Sequence, residues 1–221
     1  MAAKEKSVSF ADGVAQPVGV ECPIKWGSHH SLVQNLEEAE VRMRELYEDL
    51  REDGWMVGVD VECHFHRVYW VQLATWRRGI VLDALALHDE MWKLLQPLLG
   101  DKQVYTVLHG HINHCNSLYY NFDIEVNTTI IDAAANSDEL DGRWEGGQRA
   151  SLQTLCRQYL RYELPQTHQA PDWKKRPMDA RMIQTAVIDA MVFLPLQDAM
   201  AKEMHSRTTC FAGENELWEQ A

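Results

Sequence analysis

Apolar side chains recur with a helical period near the start of the chain. Between residues 32 and 50 they are spaced by three and four, which predicts an amphipathic helix. Ser31-Leu-Val-Gln34 resembles a capping box, so we expect the helix to begin there. Asp53-Gly54 follows the last apolar position and predicts the turn that ends the helix.

The rest of the pattern predicts a sheet covered by helices. Strands are predicted over 55–61, 68–75 and 79–82, and the short links between them favour an antiparallel meander. Further along, helical and strand patterns alternate, with helices predicted over 88–99, 112–120, 151–160 and 180–204 and strands over 104–108 and 128–131. Because such alternation is typical of parallel strands joined by crossovers, we expect an α/β fold, a mixed sheet with helices on both faces.

Composition limits the classes of function. The 221 residues are 46% hydrophobic, enough for one core, and contain no run of the roughly 20 apolar residues that a membrane span needs. Five scattered cysteines indicate a reducing, intracellular setting, nuclear or cytoplasmic. A net charge of -12 argues against a long phosphate-binding track, so any nucleic-acid contact requires a local basic patch, metal ions or a partner. An acidic surface is equally an ordinary means of staying soluble.

The apolar stretch 56–62, which continues the first predicted strand by one residue, contains two carboxylates. Asp60 and Glu62 stand at positions i and i+2, so their side chains share one face of that strand. Two acids beside an apolar run repel each other and are costly to desolvate, which indicates a cation between them. The alternative is that they are solvent-facing acids of an edge strand. Asp189, on a later predicted helix, is flanked by apolar residues, which favours a buried functional acid over an exposed one.

Further motifs follow the acid pair in a fixed order. They are Gln72-Leu-Ala-Thr75, His109-Gly110, Ser151-Leu152, Asp172-Trp173 with Arg176-Pro177, and finally Asp189 in a helix. This order resembles the ribonuclease D group of DEDD-type 3′–5′ exonucleases, which includes exosome-associated and Werner-type exonuclease domains. The resemblance covers residues 30–204 and implies a ribonuclease H-like fold. It further implies four acids that hold two divalent cations, Mg²⁺ or Mn²⁺, and a tyrosine that assists the attacking water.

The chain departs from this family pattern at two positions. The third acid belongs five residues after His109, where His114 stands, and the tyrosine belongs four residues before Asp189, where Thr185 stands. The resemblance therefore implies that Asp60, Glu62 and Asp189 form a catalytic and metal site that is partial or empty, with weak or absent hydrolysis. A neutral His114 can still coordinate Mn²⁺ or Zn²⁺, but it is a poor ligand for Mg²⁺.

Two other groups of residues allow more than one interpretation. His109, Trp173, Lys174, Lys175 and Arg176 are candidate nucleic-acid contacts, although the Asp-Trp-x-x-Arg-Pro segment can equally serve to pack a loop onto the domain. A histidine-rich zinc site is the second possibility, formed from residues that lie close in sequence: His64, His66, His109, His111 and His114. The alternative for these histidines is a helix-start residue with surface neighbours.

Three functions remain open on this sequence. The first is an impaired exonuclease domain that binds RNA or single-stranded nucleic acid, or serves with protein partners as an adaptor in an RNA-processing complex. The second is an active exonuclease that uses His114 and Mn²⁺. The third is a purely structural protein-interaction module. We expect residues 1–27 to be an N-terminal arm, 28–205 the exonuclease-like domain and 206–221 a C-terminal tail.

Overall fold

The sheet lies between two layers of helices in the computed structural model, which describes residues 29–142, 149–164 and 172–218. Its strands are β1 (His29–Val33), β2 (Met56–His64), β3 (Arg67–Ala74), β4 (Arg78–Asp83), β5 (Tyr105–Leu108) and β6 (Thr129–Asp132). The helices are α1 (Leu36–Asp53), α2 (Met91–Leu99), α3 (His111–Phe122), α4 (Ala133–Leu140), α5 (Leu152–Leu155), α6 (Ala180–Met191) and α7 (Phe193–Trp218). A 3-10 turn, His88–Glu90, precedes α2, and a π-helical turn, Cys156–Leu160, follows α5.

The strand order is β1-β4-β3-β2-β5-β6. The pairs β2–β3 and β3–β4 are antiparallel, whereas β1–β4, β2–β5 and β5–β6 are parallel. The predicted meander and the mixed α/β sheet are both confirmed. No helix in the described part of the chain is long and apolar enough to span a membrane.

Alternation along β2 separates two cores. Val57, Val59 and Val61 join the cluster that buries α1, α2 and one side of α3. Gly58, Asp60 and Glu62 therefore face the other layer, where α6 and the start of α7 pack against Trp70 and its neighbours. The acids thus lie on the α6 face of a strand held between β3 and β5. The edge-strand alternative is wrong, since β2 is an interior strand.

The predicted start of the first helix is wrong. Ser31 lies in β1, paired with Ile80 of β4, and α1 begins at Leu36. The N-cap is Asn35, whose side-chain oxygen accepts a hydrogen bond from Glu38 N at 2.9 Å. A local capping signal at Ser31 was overridden by strand pairing, while Asn35 and Glu38 supplied an equally good cap one turn later. The predicted end is confirmed, because Gly54 takes the left-handed conformation at φ 90°.

Two other predicted helices are divided in the structure. The segment predicted over 180–204 is α6 followed by α7, with a break at Val192. Pro195 explains the break, since it has no N–H to donate to the Met191 carbonyl and is tolerated only in a first helical turn. The helix predicted over 151–160 changes to a π-helical turn after Leu155. The backbone of α7 continues past residue 205, and the division into arm, domain and tail stays a prediction.

Candidate metal centre

A glycine allows the helix that carries Asp189 to approach the strand that carries Asp60. A Cβ atom built on Gly58 overlaps the backbone carbonyl oxygen of Ala190 and lies 3.5 Å from Phe193 Cβ. The missing side chain therefore lets α6 rest directly on β2 two residues before Asp60. Our sequence interpretation did not include Gly58, although a glycine inside a strand signals a close backbone approach.

Three carboxylates meet at this contact. Asp60, Glu62 and Asp189 each offer an oxygen, and these oxygens all lie within 4.8 Å of one another. All three side chains are partly buried, where α6 packs against β2. The structure therefore brings together the three acids that the sequence predicted as metal ligands.

The carboxylates destabilise one another when no cation is present. Burial raises the pKa of Glu62 to about 9, and the charges of Asp60 and Asp189 add to this effect. Burial, followed by the Asp60 charge, raises the pKa of Asp189 to about 8. The pKa of Asp60 is also raised by burial, although His114 and the Val61 N–H oppose this. Such a cluster becomes fully ionised at neutral pH when a cation compensates its charge.

His114 faces the cluster from α3. Its Nε2 lies 3.4 Å from Asp60 Oδ1, and the two side chains are 17% and 15% exposed. The other ring nitrogen, Nδ1, is buried without a hydrogen-bond partner among the described residues. The side chain that replaces the third acid thus points at Asp60 rather than away from it.

Thr185 lies one helical turn before Asp189, on the same side of α6. Its Oγ1 donates a hydrogen bond to the Arg181 carbonyl at 3.0 Å, a contact within the helix backbone. The hydroxyl is also shorter than a tyrosine side chain. Thr185 does not reproduce the reach or the acidity of the phenol that the family places there.

The donor set fits a hard divalent cation. Three carboxylates supply oxygen ligands of the kind that Mg²⁺ and Mn²⁺ prefer, and the spacing of their oxygens allows one ion to touch all three. Gln72, across the strand pair from Asp60, is fully buried, and neither Nε2 nor Oε1 has a hydrogen-bond partner among the described residues, as expected beside a site that holds a hydrated ion. A divalent cation bound there supplies a Lewis acid that lowers the pKa of water and stabilises charge on a phosphate.

His109 and His111 have separate partners. His109 Nε2 lies 2.7 Å from the Ala150 carbonyl, and His111 Nδ1 lies 2.8 Å from Asp132 Oδ2. Asp132 also accepts the backbone N–H groups of Gly110, His111 and Ala134, and these contacts together hold its pKa at about 2 despite burial. Within the described ranges, the carboxylate trio is the one group of three or more potential ligands, so no histidine-rich centre forms there.

The Asp172–Arg176 segment is used largely for packing. The Arg176 guanidinium stacks on the Trp70 ring at 3.7 Å and donates to Asp83 Oδ1 at 3.2 Å. Trp70 Nε1 and Arg176 Nη1 both donate to the Trp173 carbonyl, at 2.8 and 2.9 Å. These contacts support the packing alternative for Trp173 and Arg176.

Two lysines of that segment remain exposed. Lys175 pairs with Asp179 at 3.0 Å, and Lys174 Nζ lies 3.4 Å from His64 Nε2 at the tip of the β2–β3 hairpin. Their role as nucleic-acid contacts, and that of His109, stays a prediction.

Comparisons with known proteins place the chain in a family. A family model described as a 3′–5′ exonuclease matches residues 34–205. Protein RRP6-like 3 of Arabidopsis thaliana is 27% identical over 194 residues, which cover 86% of this chain and 20% of that protein. Exosome complex component 10 of Homo sapiens is 28% identical over 156 residues, 68% of this chain and 17% of that protein. This chain thus spans about a fifth of the length of these relatives.

Solved structures show the same fold. The catalytic core of RRP6 from Trypanosoma brucei (mutant C496S) superposes with a TM-score of 0.68 at 21% identity, covering 81% of this chain and 48% of that one. Escherichia coli RNase D gives a TM-score of 0.67 at 18% identity, covering 80% and 46%. The chain belongs to the 3′–5′ exonuclease family, within the DEDD group related to RRP6 and ribonuclease D and with its ribonuclease H-like fold.

Proposed function

We propose that this chain is a degenerate 3′–5′ exonuclease domain that binds RNA at a single-cation site and hydrolyses it slowly or not at all. The observation that carries the proposal is His114. It stands where the family has its third acid, and its ring nitrogen lies 3.4 Å from Asp60 Oδ1.

The position of His114 supports the proposal that a second cation is disfavoured. In the family, the first acid bridges both cations and the third acid supports the second one. Here the side chain beside Asp60 offers a nitrogen in place of a carboxylate oxygen, which is a poor ligand for Mg²⁺. When protonated, the same ring places a positive charge where a second cation would bind. A two-metal mechanism needs both ions to stabilise the attacking and leaving oxygens, so the rate should fall by orders of magnitude.

Thr185 weakens the site further. A water molecule attacking the phosphate is oriented in the family by a tyrosine, but the Thr185 hydroxyl donates to the Arg181 carbonyl within its own helix. Losing a group that orients the nucleophile raises the activation free energy independently of the lost cation ligand. The remaining capacity of the site is to hold one cation and, through it, a phosphate.

RNA is the ligand that we propose. The names of the relatives include ribonuclease D and exosome complex component 10, and this chain shares their domain. Its net charge of -12 means that affinity must come from the cation site and from a small patch such as Lys174 and Lys175. We therefore also propose that it works beside protein partners in a nuclear or cytoplasmic RNA-processing complex.

The test is a hydrolysis and binding assay on purified protein. Labelled single-stranded RNA and DNA are incubated with Mg²⁺ or Mn²⁺, with Asp60→Ala as the control that removes the shared ligand. We expect binding that depends on Asp60 and the cation, with little laddering of the label. Restoring the family residues in a His114→Asp/Thr185→Tyr double variant should raise hydrolysis by at least about 100-fold.

The outcomes separate the three functions. Ladder products from the unmodified protein in Mn²⁺, abolished by Asp60→Ala, would establish the active-exonuclease alternative, in which the His114 ring beside Asp60 binds Mn²⁺. A restored double variant that folds, binds Mn²⁺ and still fails to hydrolyse would remove His114 and Thr185 as the cause. Absence of both RNA binding and cation uptake would leave the structural module.

A further inference from the structure

Gln72 is a polar side chain enclosed in the core with no visible partner. It is fully buried in β3, and both its amide nitrogen and its amide oxygen lack hydrogen bonds within the described chain. Native proteins satisfy nearly all buried side-chain polar atoms with protein or water. A central strand position that carries an unpartnered amide instead of an apolar residue therefore requires an explanation.

The strand register places Gln72 beside the cation site. In the antiparallel β2–β3 pair, Gln72 is directly opposite Asp60, and Trp70 is opposite Glu62. Directly opposed side chains project from the same face, with Cβ atoms about 4.5–5.5 Å apart. Gln72 thus shares the α6 face of the sheet with the carboxylates, one strand away from the ligands.

An amide can both donate and accept hydrogen bonds, whereas the ionised carboxylates beside it can only accept them. Gln72 Nε2 donates directly to none of the three carboxylates, so it can reach Asp60 only through a water molecule. Its Oε1 needs a donor, which a carboxylate cannot provide. Divalent cations such as Mg²⁺ retain several water molecules, and these are strong donors. An amide can therefore connect a carboxylate ligand and the hydration shell of the cation, whereas an acid or an apolar side chain cannot do both.

We propose that Gln72 is a positioning residue of the cation site, whose Nε2 and Oε1 hold water molecules of a hydrated divalent cation, with Nε2 reaching Asp60 through one of these waters. The inference rests on the single-cation site of the proposed function, and it is independent of whether RNA is bound or cleaved. Groups that orient metal ligands in this way typically change affinity by about 10- to 100-fold when removed.

The experiment replaces the amide by an apolar side chain of similar length. Gln72→Met keeps the volume and removes both polar atoms. With EDTA present, its melting temperature should equal or exceed that of the unmodified protein, because no protein hydrogen bond is lost and two unpaired polar atoms are gone. Its Mn²⁺ dissociation constant, measured by calorimetry, should rise by about 10- to 100-fold.

Leu73→Met is the matched control. Leu73 is the next residue of β3, fully buried on the opposite face, and the substitution conserves volume. It should lower the melting temperature by no more than a few degrees and leave the Mn²⁺ dissociation constant unchanged. The contrast between the two variants separates loss of the amide from general disturbance of the strand.

Each remaining outcome decides the question. If Gln72→Met binds Mn²⁺ as tightly as the unmodified protein, the positioning role is refuted while the single-cation site stands. A marked loss of stability in EDTA would show that the amide has a partner within the protein, and this also overturns the proposal. If the unmodified protein takes up no Mn²⁺, the proposal and the single-cation site fail together.

Discussion

Replacing Gly58 by alanine should disassemble the carboxylate cluster without touching a carboxylate. The added methyl overlaps the Ala190 carbonyl oxygen, which belongs to the backbone of α6 and cannot rotate away. An ordinary carbon–oxygen contact is about 3.3–3.6 Å, so α6 must move away from β2 by about 1 Å. Asp189, one residue before Ala190, moves with it. Metal ligands must lie within about 0.2 Å of their proper distance, so Asp189 can no longer bind the same ion as Asp60.

The energetic cost can be bounded. Overpacking a core typically costs about 1–3 kcal/mol, partly offset by about 0.5–1 kcal/mol from the smaller backbone entropy of alanine in the unfolded chain. For a chain of this size each kcal/mol shifts the melting temperature by roughly 2–4 °C. We therefore expect Gly58→Ala to melt several degrees lower in EDTA and to bind Mn²⁺ at least about tenfold more weakly.

Gly79→Ala provides the comparison, because the same helix covers it. A methyl at Gly79 would lie 2.8 Å from Val187 Cγ1 and 3.3 Å from Met191 Sδ, so both contacts are with side chains rather than with the helix backbone, and the Met191 side chain is flexible. Gly79 belongs to β4, which is separated from β2 by β3. Differential scanning calorimetry and Mn²⁺ titration should show a small change in stability and an almost unchanged affinity. Equal losses of Mn²⁺ affinity in both variants, or none in Gly58→Ala, would refute the reasoning.

Three further predictions concern charge. Without metal, the free energy of unfolding should fall as pH rises from about 4.5 toward 9, because the raised pKa values of Glu62 and Asp189 favour their protonated forms in the folded state. Mn²⁺ should reverse this fall. Its binding should also release protons, which calorimetry in buffers of different ionisation enthalpy measures. The lowered pKa of Asp132 acts oppositely and contributes about 2 kcal/mol that is present above pH 4 and lost toward pH 2, so acid unfolding of Asp132→Asn should be flatter there. Arg78→Met should cost about 3–5 kcal/mol in urea unfolding, because Asp49, 3% exposed and bonded to Arg78 at 2.5 Å, becomes a buried unpaired charge.

Each of these three predictions has an outcome that would contradict it. A stability that stays level from pH 5 to 9 in EDTA would show that the carboxylates are not mutually destabilising. An Asp132→Asn variant with the acid-unfolding profile of the unmodified protein would show that the charge of Asp132 does not contribute to stability above pH 4. Full recovery of stability in an Arg78→Met/Asp49→Leu double variant is expected, and persistent loss would assign the cost to packing rather than to the ion pair.

The local pattern of apolar and polar residues was sufficient to predict the antiparallel meander and the placement of Asp60 and Glu62 on one face of a strand. Both follow from the period of two residues along a strand, which depends on backbone geometry alone. The local pattern failed at Ser31, where a capping signal competed with a strand whose backbone pairs with β4, some fifty residues away. It failed again between α6 and α7, because the helical spacing of apolar residues continues through Pro195, although the proline has no N–H for a helical hydrogen bond.

The order of residues is enough to establish the kind of chemistry available: two acids on one strand face, a third on an apolar helix, and His114 and Thr185 in place of two family residues. Only folding brings oxygens of these acids within 4.8 Å of one another, turns His114 toward Asp60, and leaves Gln72 on their face without a hydrogen-bond partner among the described residues. The physical reason is distance along the chain. Period and propensity act over a few residues, whereas the closeness of α6 to β2 depends on packing at Gly58, 131 residues before Asp189.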